Sequence, residues 1–377
     1  MTSTATSGPA TPQHQGRPGR RPPAWRIALL LPAGLALVAG LDAALLLLGV
    51  PAPVRTDRLP EVHGMLLVLG FVGTLVSAER AVALGHRAGF LAPALLGSGG
   101  LLLVSPAPLI AGRLLLLAGA AALTAVYLPL WRRQRDDAVL VQAFGAVLAL
   151  GALLLWLGGV PVPHLVPWLA GFLVLTIGGE RLELARLAMG AGAGTTLLLL
   201  ATALVVGTVA TLLWPDVGHP LLGLALLALT GWLARHDVAR VTARSAGLPR
   251  FMAANMLTGY VWLAVAGGIW ALTGTAYDGP AYDAVVHAVF LGFTVAMIMA
   301  HAPVILPAVL GRPLPYHPVL IVPAALLHAS LVLRLWAGDA LGVAAARQVG
   351  GVLNILAVMA FVVLAAWSAA RPAGARP

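Results

Sequence analysis

Three histidines and two Glu-Arg pairs recur at fixed spacing in a chain with few other ionisable groups. His63, Gly70, Phe71, Glu79 and Arg80 are matched by His164, Gly171, Phe172, Glu180 and Arg181, each offset by 101 residues. A third version starts at His287, where Gly292-Phe293 is followed by His301 at the spacing where the others place Glu. Neutral imidazole suits haem iron, copper and zinc. Two imidazoles from facing helices can hold a haem b between them. A histidine that caps a helix or bonds a loop carbonyl at the membrane surface explains each residue equally simply. His287 and His301 lie ~21 Å apart along a helix axis and cannot share one metal ion.

Other charges stand where topology alone would not put them. Asp42 falls inside the first apolar run, and Arg113, Arg334 and Arg347 fall at ends of later runs. Arginines there ask for anionic partners. Haem propionates, gripped through forked charge-assisted bonds, are one such partner. Asp42 is placed to accept the ring N–H of a ligating histidine, which would orient the ring, or to pair with one of the arginines for structure. The Glu79-Arg80 and Glu180-Arg181 pairs read either as interfacial anchors or as cross-links, Glu79 to Arg181 and Arg80 to Glu180.

These residues need rigid carriers, and the composition names them. The 377 residues are 60% hydrophobic and 10% charged, with mean hydropathy +0.94. Soluble domains carry about 25% charged residues, so this is a multi-pass membrane protein. Spans that satisfy their own backbone in lipid are helices here, because the apolar runs lack the alternation of barrel strands. Expected spans are 25–50, 62–84, 89–106, 108–131, 138–159, 163–181, 194–214, 219–234, 252–273, 282–301, 317–337 and 345–369. The fold class is therefore all-α, with about twelve transmembrane helices in three four-helix blocks. Spans 2, 6 and 10 carry the repeated motif. His63, Gly70, Thr74 and Ser77 share one face of span 2 at regular helical steps. Small residues there give either close helix approach or room for a flat ligand.

Residues 1–24, rich in Pro, Gly, Ser and Arg, read as a disordered cytoplasmic tail, 25–370 as the helical domain and 371–377 as a second tail. The net charge of +10 sits in short loops. That pattern signals topology rather than nucleic-acid binding, and the lipid bilayer is the partner it implies. Basic loops containing Arg132, Arg133, Arg235 and Arg312 fall on one side, which places both termini in the cytoplasm. Cysteine is absent. That excludes disulfides, covalent haem attachment and thiolate metal centres. No P-loop, HExxH or GxSxG stretch is present.

At His63-Gly-Met-Leu followed by Gly70-Phe71-Val72-Gly73, the sequence resembles the NnrS family. His287-Ala288, Gly292, Met297-Ile298 and Leu310-Gly311-Arg312-Pro313-Leu314 are similar to a second stretch of that family. Gly64 stands where the family often has Glu. The resemblance implies a twelve-span bacterial inner-membrane protein that contains haem and copper and is linked to nitric oxide and nitrosative stress. It carries over His63 and His287 as motif positions. His164 then serves as an alternative ligand or copper donor. The three-times-four arrangement is also similar to subunit I of haem–copper oxidases, where helices 2 and 10 hold a low-spin haem. Span 7 has no His-His pair and span 6 no second histidine, so an oxidase-type copper site is not expected. A cofactor-free solute or proton-coupled transporter is the other expectation, with Pro303, Pro307 and Pro323 breaking helices around a central path.

Overall fold

In a bilayer every backbone N–H and C=O must be satisfied within its own span, and this chain does so with helices throughout. A computed structural model describes residues 24–310 and 314–370, and these are all-α. The expected tails, Arg312 and much of the Leu310–Leu314 motif lie outside the described residues. The spans are α1 Leu31–Leu47, α2 Arg58–Leu84, α3 Arg87–Val104, α4 Leu109–Gln134, α5 Asp137–Leu157 and α6 Val162–Arg186, followed by α7 Ala193–Leu213, α8 Pro215–His236, α9 Leu248–Thr273, α10 Gly279–Pro307, α11 Pro318–Ala340 and α12 Ala344–Ala370. Eleven of them are long and apolar enough to cross a membrane, and α1 is shorter. The protein is a multi-pass integral membrane protein.

The first run departs from the expectation of one helix over 25–50. A short helical piece, Ala24–Ala28, is separated from α1 by a turn at Leu29-Leu30. Pro32 lies at the start of α1. Its ring disfavours helical backbone in the residue before it and it has no N–H to donate. The expected proline breaks do not occur. Pro303 and Pro307 sit inside helix Ala296–Leu310, and Pro323 sits near the start of Ile321–Val332.

Neighbouring spans pack in a chain of pairs, and α12 returns to touch α1. Helix α10 touches both α2 and α6, which brings the three motif helices together. Two of them contain a π segment. Leu66–Gly73 of α2 and Ala288–Val295 of α10 are π-helical, with Gly-Phe at the same two positions of each eight-residue stretch. A π turn bonds i to i+5 and resets the phase of everything after it. The single face read through His63, Gly70, Thr74 and Ser77 is therefore interrupted. Against this register His63 lies three residues before its π segment and His287 one residue before, so the two histidines are not equivalent positions.

The glycines of α2 admit helices rather than a flat ligand. A Cβ on Gly70 would meet Ala36 Cβ at 3.1 Å, and one on Gly100 of α3 would meet Gly70 Cα at 3.1 Å. The tightest seam lies between α7 and α8, where a Cβ on Gly218 would fall 2.2 Å from the backbone carbon of Ala210. Backbone cannot step aside, so Gly218→Ala should destabilise the protein by about 1–3 kcal/mol. Gly231, on the same helix with nothing within 4 Å of an added Cβ, supplies the neutral control. Thermal unfolding in detergent compares the two. Equal midpoints would show that the seam is not as tight as described.

Candidate functional site

Near one end of the bundle, the first half of α2 presents His63 and the first turns of α10 present His287. His63 Nδ1 lies 2.8 Å from the Gly40 carbonyl. A carbonyl only accepts, so Nδ1 carries the proton and the neutral ring keeps its lone pair on Nε2. His287 Nδ1 lies 2.8 Å from the Asp283 carbonyl and 3.2 Å from Asp283 Oδ1, with the same consequence.

Asp283 is held in turn by Arg334, whose Nε and Nη2 donate to its two oxygens at 2.9 and 2.7 Å. Arg334 comes from the π segment Leu333–Ala340 of α11, which also carries Asp339. The same segment packs against Arg347 of α12, where a Cβ on Gly338 would meet Arg347 Cα at 2.7 Å. The side chain of exposed Arg347 makes no hydrogen bond among the described residues. Two imidazoles, two carboxylates and two guanidinia thus share one end of α2, α10, α11 and α12.

Several expected members are placed elsewhere. The Asp42 carboxylate accepts from the Val54 N–H at 3.3 Å and does not reach His63, whose ring the Gly40 carbonyl orients. Arg113 lies over the Trp156 ring, 4.4 Å from its centroid. Its aromatic neighbour takes the place of an anionic partner. The His164 ring stacks on Tyr277 with centroids 3.9 Å apart, and His219 meets the same tyrosine edge-on. His301 is no free ligand. Its Nε2 accepts from Arg181 Nη1 at 2.9 Å and its Nδ1 donates to the Met297 carbonyl at 2.8 Å, so both nitrogens are used. Among the described residues no group of three or more His, Asp or Glu side chains is assembled to hold a metal ion.

Toward the other end of the motif helices, the Glu-Arg pairs also differ from the expected cross-links. Arg80 Nη2 donates to Glu79, its own neighbour, at 2.6 Å. Its Nη1 donates to Gln142 of α5 at 2.9 Å and to Glu183 of α6 at 3.1 Å. Glu183 lies nearly one turn past Glu180, and Gln142 Nε2 fixes its carboxylate at 3.1 Å. Arg181 turns away from α2. Its Nε and Nη2 donate to Asp237 at 2.9 and 3.0 Å. Asp237 also accepts from the Tyr260 hydroxyl at 2.7 Å and the Ala239 N–H at 2.9 Å. Burial alone would raise the Asp237 carboxyl, but these donors and the Arg181 charge hold it below its ordinary value.

Sequence reading missed Asp283, Asp339, Gln142, Glu183, Asp237 and Tyr260. Asp283 was within reach, because Asp-x-x-x-His puts both side chains on one helix face. Asp237 sits in a basic loop after α8, where nothing marks it as the partner of an arginine 56 residues earlier.

No curated protein and no solved structure matches the chain. A family model described as a domain of unknown function, DUF8744, matches residues 26–370, nearly the whole chain, and the protein belongs to that family.

Proposed function

We propose that the protein is a membrane haem protein that holds haem b between His63 and His287. The observation that carries this reading is the tethering of both Nδ1 atoms to carbonyls on separate helices. It fixes the tautomer and leaves two Nε2 lone pairs, the donor set that a bis-histidine iron needs. Arg347 would meet a propionate, and Arg334 would do so with the Nη1 that Asp283 leaves free. Bound there, the haem would supply a one-electron centre. Gly40 and Asp283 hold the two rings in ligand orientation, and the Asp283–Arg334 fork keeps α10 and α11 in register beside them.

On the loop charges this end would face the periplasm of a bacterial inner membrane, with both termini cytoplasmic. The NnrS resemblance adds a setting of nitrosative stress or redox sensing. Copper has weaker support, since His164 and His301 are engaged apart from the pair.

An optical spectrum of the purified protein, as isolated and after dithionite, tests the reading. A Soret band that shifts on reduction, with sharp α and β bands, is expected. His63→Ala and His287→Ala should each abolish that low-spin spectrum, while His164→Ala leaves it intact. A protein that stays colourless after haem supplementation would refute the assignment.

A further inference from the structure

The loop after α8, residues 235–250, holds four arginines, Arg235, Arg240, Arg244 and Arg250, and a single acid, Asp237. That acid is consumed inside the bundle. Its buried carboxylate accepts from Arg181 of α6 and Tyr260 of α9. It thereby pins the loop to those two spans. The short helix Ala239–Thr242 packs back against α9, with Ala239 buried, so the loop does not stand away from the bundle in water. Trp232, near the end of α8, stacks on His236 with ring centroids 5.0 Å apart. A tryptophan at the end of a span marks the level of the lipid head groups.

The four arginines are exposed, and among the described residues none of them meets a carboxylate. Arg240 Nη1 donates to the Arg235 carbonyl, which carries no charge. Beside Arg240, Val241 is 71% exposed. The basic turn between α4 and α5 is built differently. There Arg133 Nη2 donates to the Ala83 carbonyl, Arg135 lies over the Trp131 ring, and Asp136 and Asp137 follow. Topology accounts for the sign of the charge in 235–250. It does not account for four unpaired guanidinia held at one depth beside a bare aliphatic side chain. Guanidinium matches phosphate oxygens through forked bonds, and an exposed valine matches the alkyl region just beneath them. A nucleic acid or an acidic protein would meet the charge and leave Val241 without a partner.

We infer that residues 235–250 bind the head groups of anionic phospholipids in the adjoining leaflet, with the four arginines on the phosphates and Val241 among the first methylenes. The surface lies at the His301 end of α10, where Arg181 and Asp237 meet, and stands apart from the haem reading.

The test is thermophoretic titration of the full-length protein in a non-ionic detergent with dioctanoyl phosphatidylglycerol and with dioctanoyl phosphatidylcholine. The anionic lipid should bind at least about tenfold more tightly, and the margin should shrink between about 0.05 M and about 0.5 M salt. Replacing all four arginines with glutamine should erase the preference, while Arg132→Gln/Arg133→Gln should keep it. These side chains are exposed, so the fold is undisturbed. Val241→Ser should weaken phosphatidylglycerol binding several-fold. Inorganic phosphate and a short single-stranded oligonucleotide, which have no alkyl chain, should bind more weakly than the anionic lipid and ignore that change. Equal affinity for the two lipids, a preference retained without the four arginines, or an oligonucleotide that outcompetes phosphatidylglycerol would each overturn the proposal.

Discussion

Replacing Asp237 with alanine is expected to cost about 3–5 kcal/mol, because it leaves the Arg181 guanidinium buried without its anion. The side chains of Arg181 and Asp237 are 6% and 0% exposed. Four donors converge on this one carboxylate, from two nitrogens of Arg181, Tyr260 and the Ala239 backbone. They join α6 to α9 through the loop after α8. Asp237→Asn keeps the shape and loses the charge, so it should fall between wild type and Asp237→Ala. The double variant Arg181→Met/Asp237→Leu should recover much of the loss, since an apolar pair of similar volume removes both charges from a dry site. Unfolding midpoints in detergent read all three. A double variant no better than Asp237→Ala would show that the pair is worth more than its desolvation.

The pH dependence has a definite sign. The folded Asp237 carboxyl titrates below its ordinary value of 3.8. Its contribution is complete above that value and is lost as pH falls through the depressed folded value. The stability gap between wild type and Asp237→Asn should stay flat from about pH 8 to about pH 5 and close only in stronger acid.

Arg334→Met is expected to be the most damaging single change at the histidine end. It strips the fork from Asp283 and leaves that carboxylate with only the His287 ring N–H, 3.2 Å from its Oδ1, as a partner. Side-chain exposures of 10% and 21% for Arg334 and Asp283 keep the cost near the lower end of the range for broken buried pairs, about 3 kcal/mol. Asp283 also tethers His287, so any bound haem should loosen in parallel. Arg334→Lys should rescue little, because an ammonium cannot make the two parallel bonds. Full stability in Arg334→Met would mean that the fork is ornamental and that other contacts hold α11 to α10.

The twelve spans were legible because hydropathy over ~20 residues is a large, additive signal. Convergence of the motif helices was legible too, since the repeated Gly-Phe positions, and the Glu or His nine residues after each Gly, mark equivalent faces. What failed was phase and partner choice. An inserted π turn leaves composition untouched, so nothing in LLVLGFVG announces that the face carrying His63 is broken before Thr74. The partner of a guanidinium depends on which helix lies across from it. Arg80 therefore takes Glu183 and Gln142, and the sequence repeat, which suggested Glu180, carries no information about that rotation. Asp42 failed for a related reason. A backbone carbonyl two residues away, at Gly40, orients His63 with no side chain at all, and carbonyls are invisible to motif reading.

The glycine seams bear on the order in which the molecule assembles. Gly99, Gly112 and Gly119 seal α3 against α4, and Gly145, Gly151, Gly171 and Gly179 seal α5 against α6. Gly207 and Gly218 do the same for α7 and α8. Each seam joins spans that leave the ribosome one after the other, so each hairpin can close as soon as its second span is inserted, with little loop to immobilise. The polar links of Arg80 to Glu183, Arg181 to His301 and Asp283 to Arg334 span 103, 120 and 51 residues. They must wait until the hairpins dock. A nascent chain halted after α8 would therefore hold finished hairpins but lack His301, and its Arg181 would have only part of its final partners.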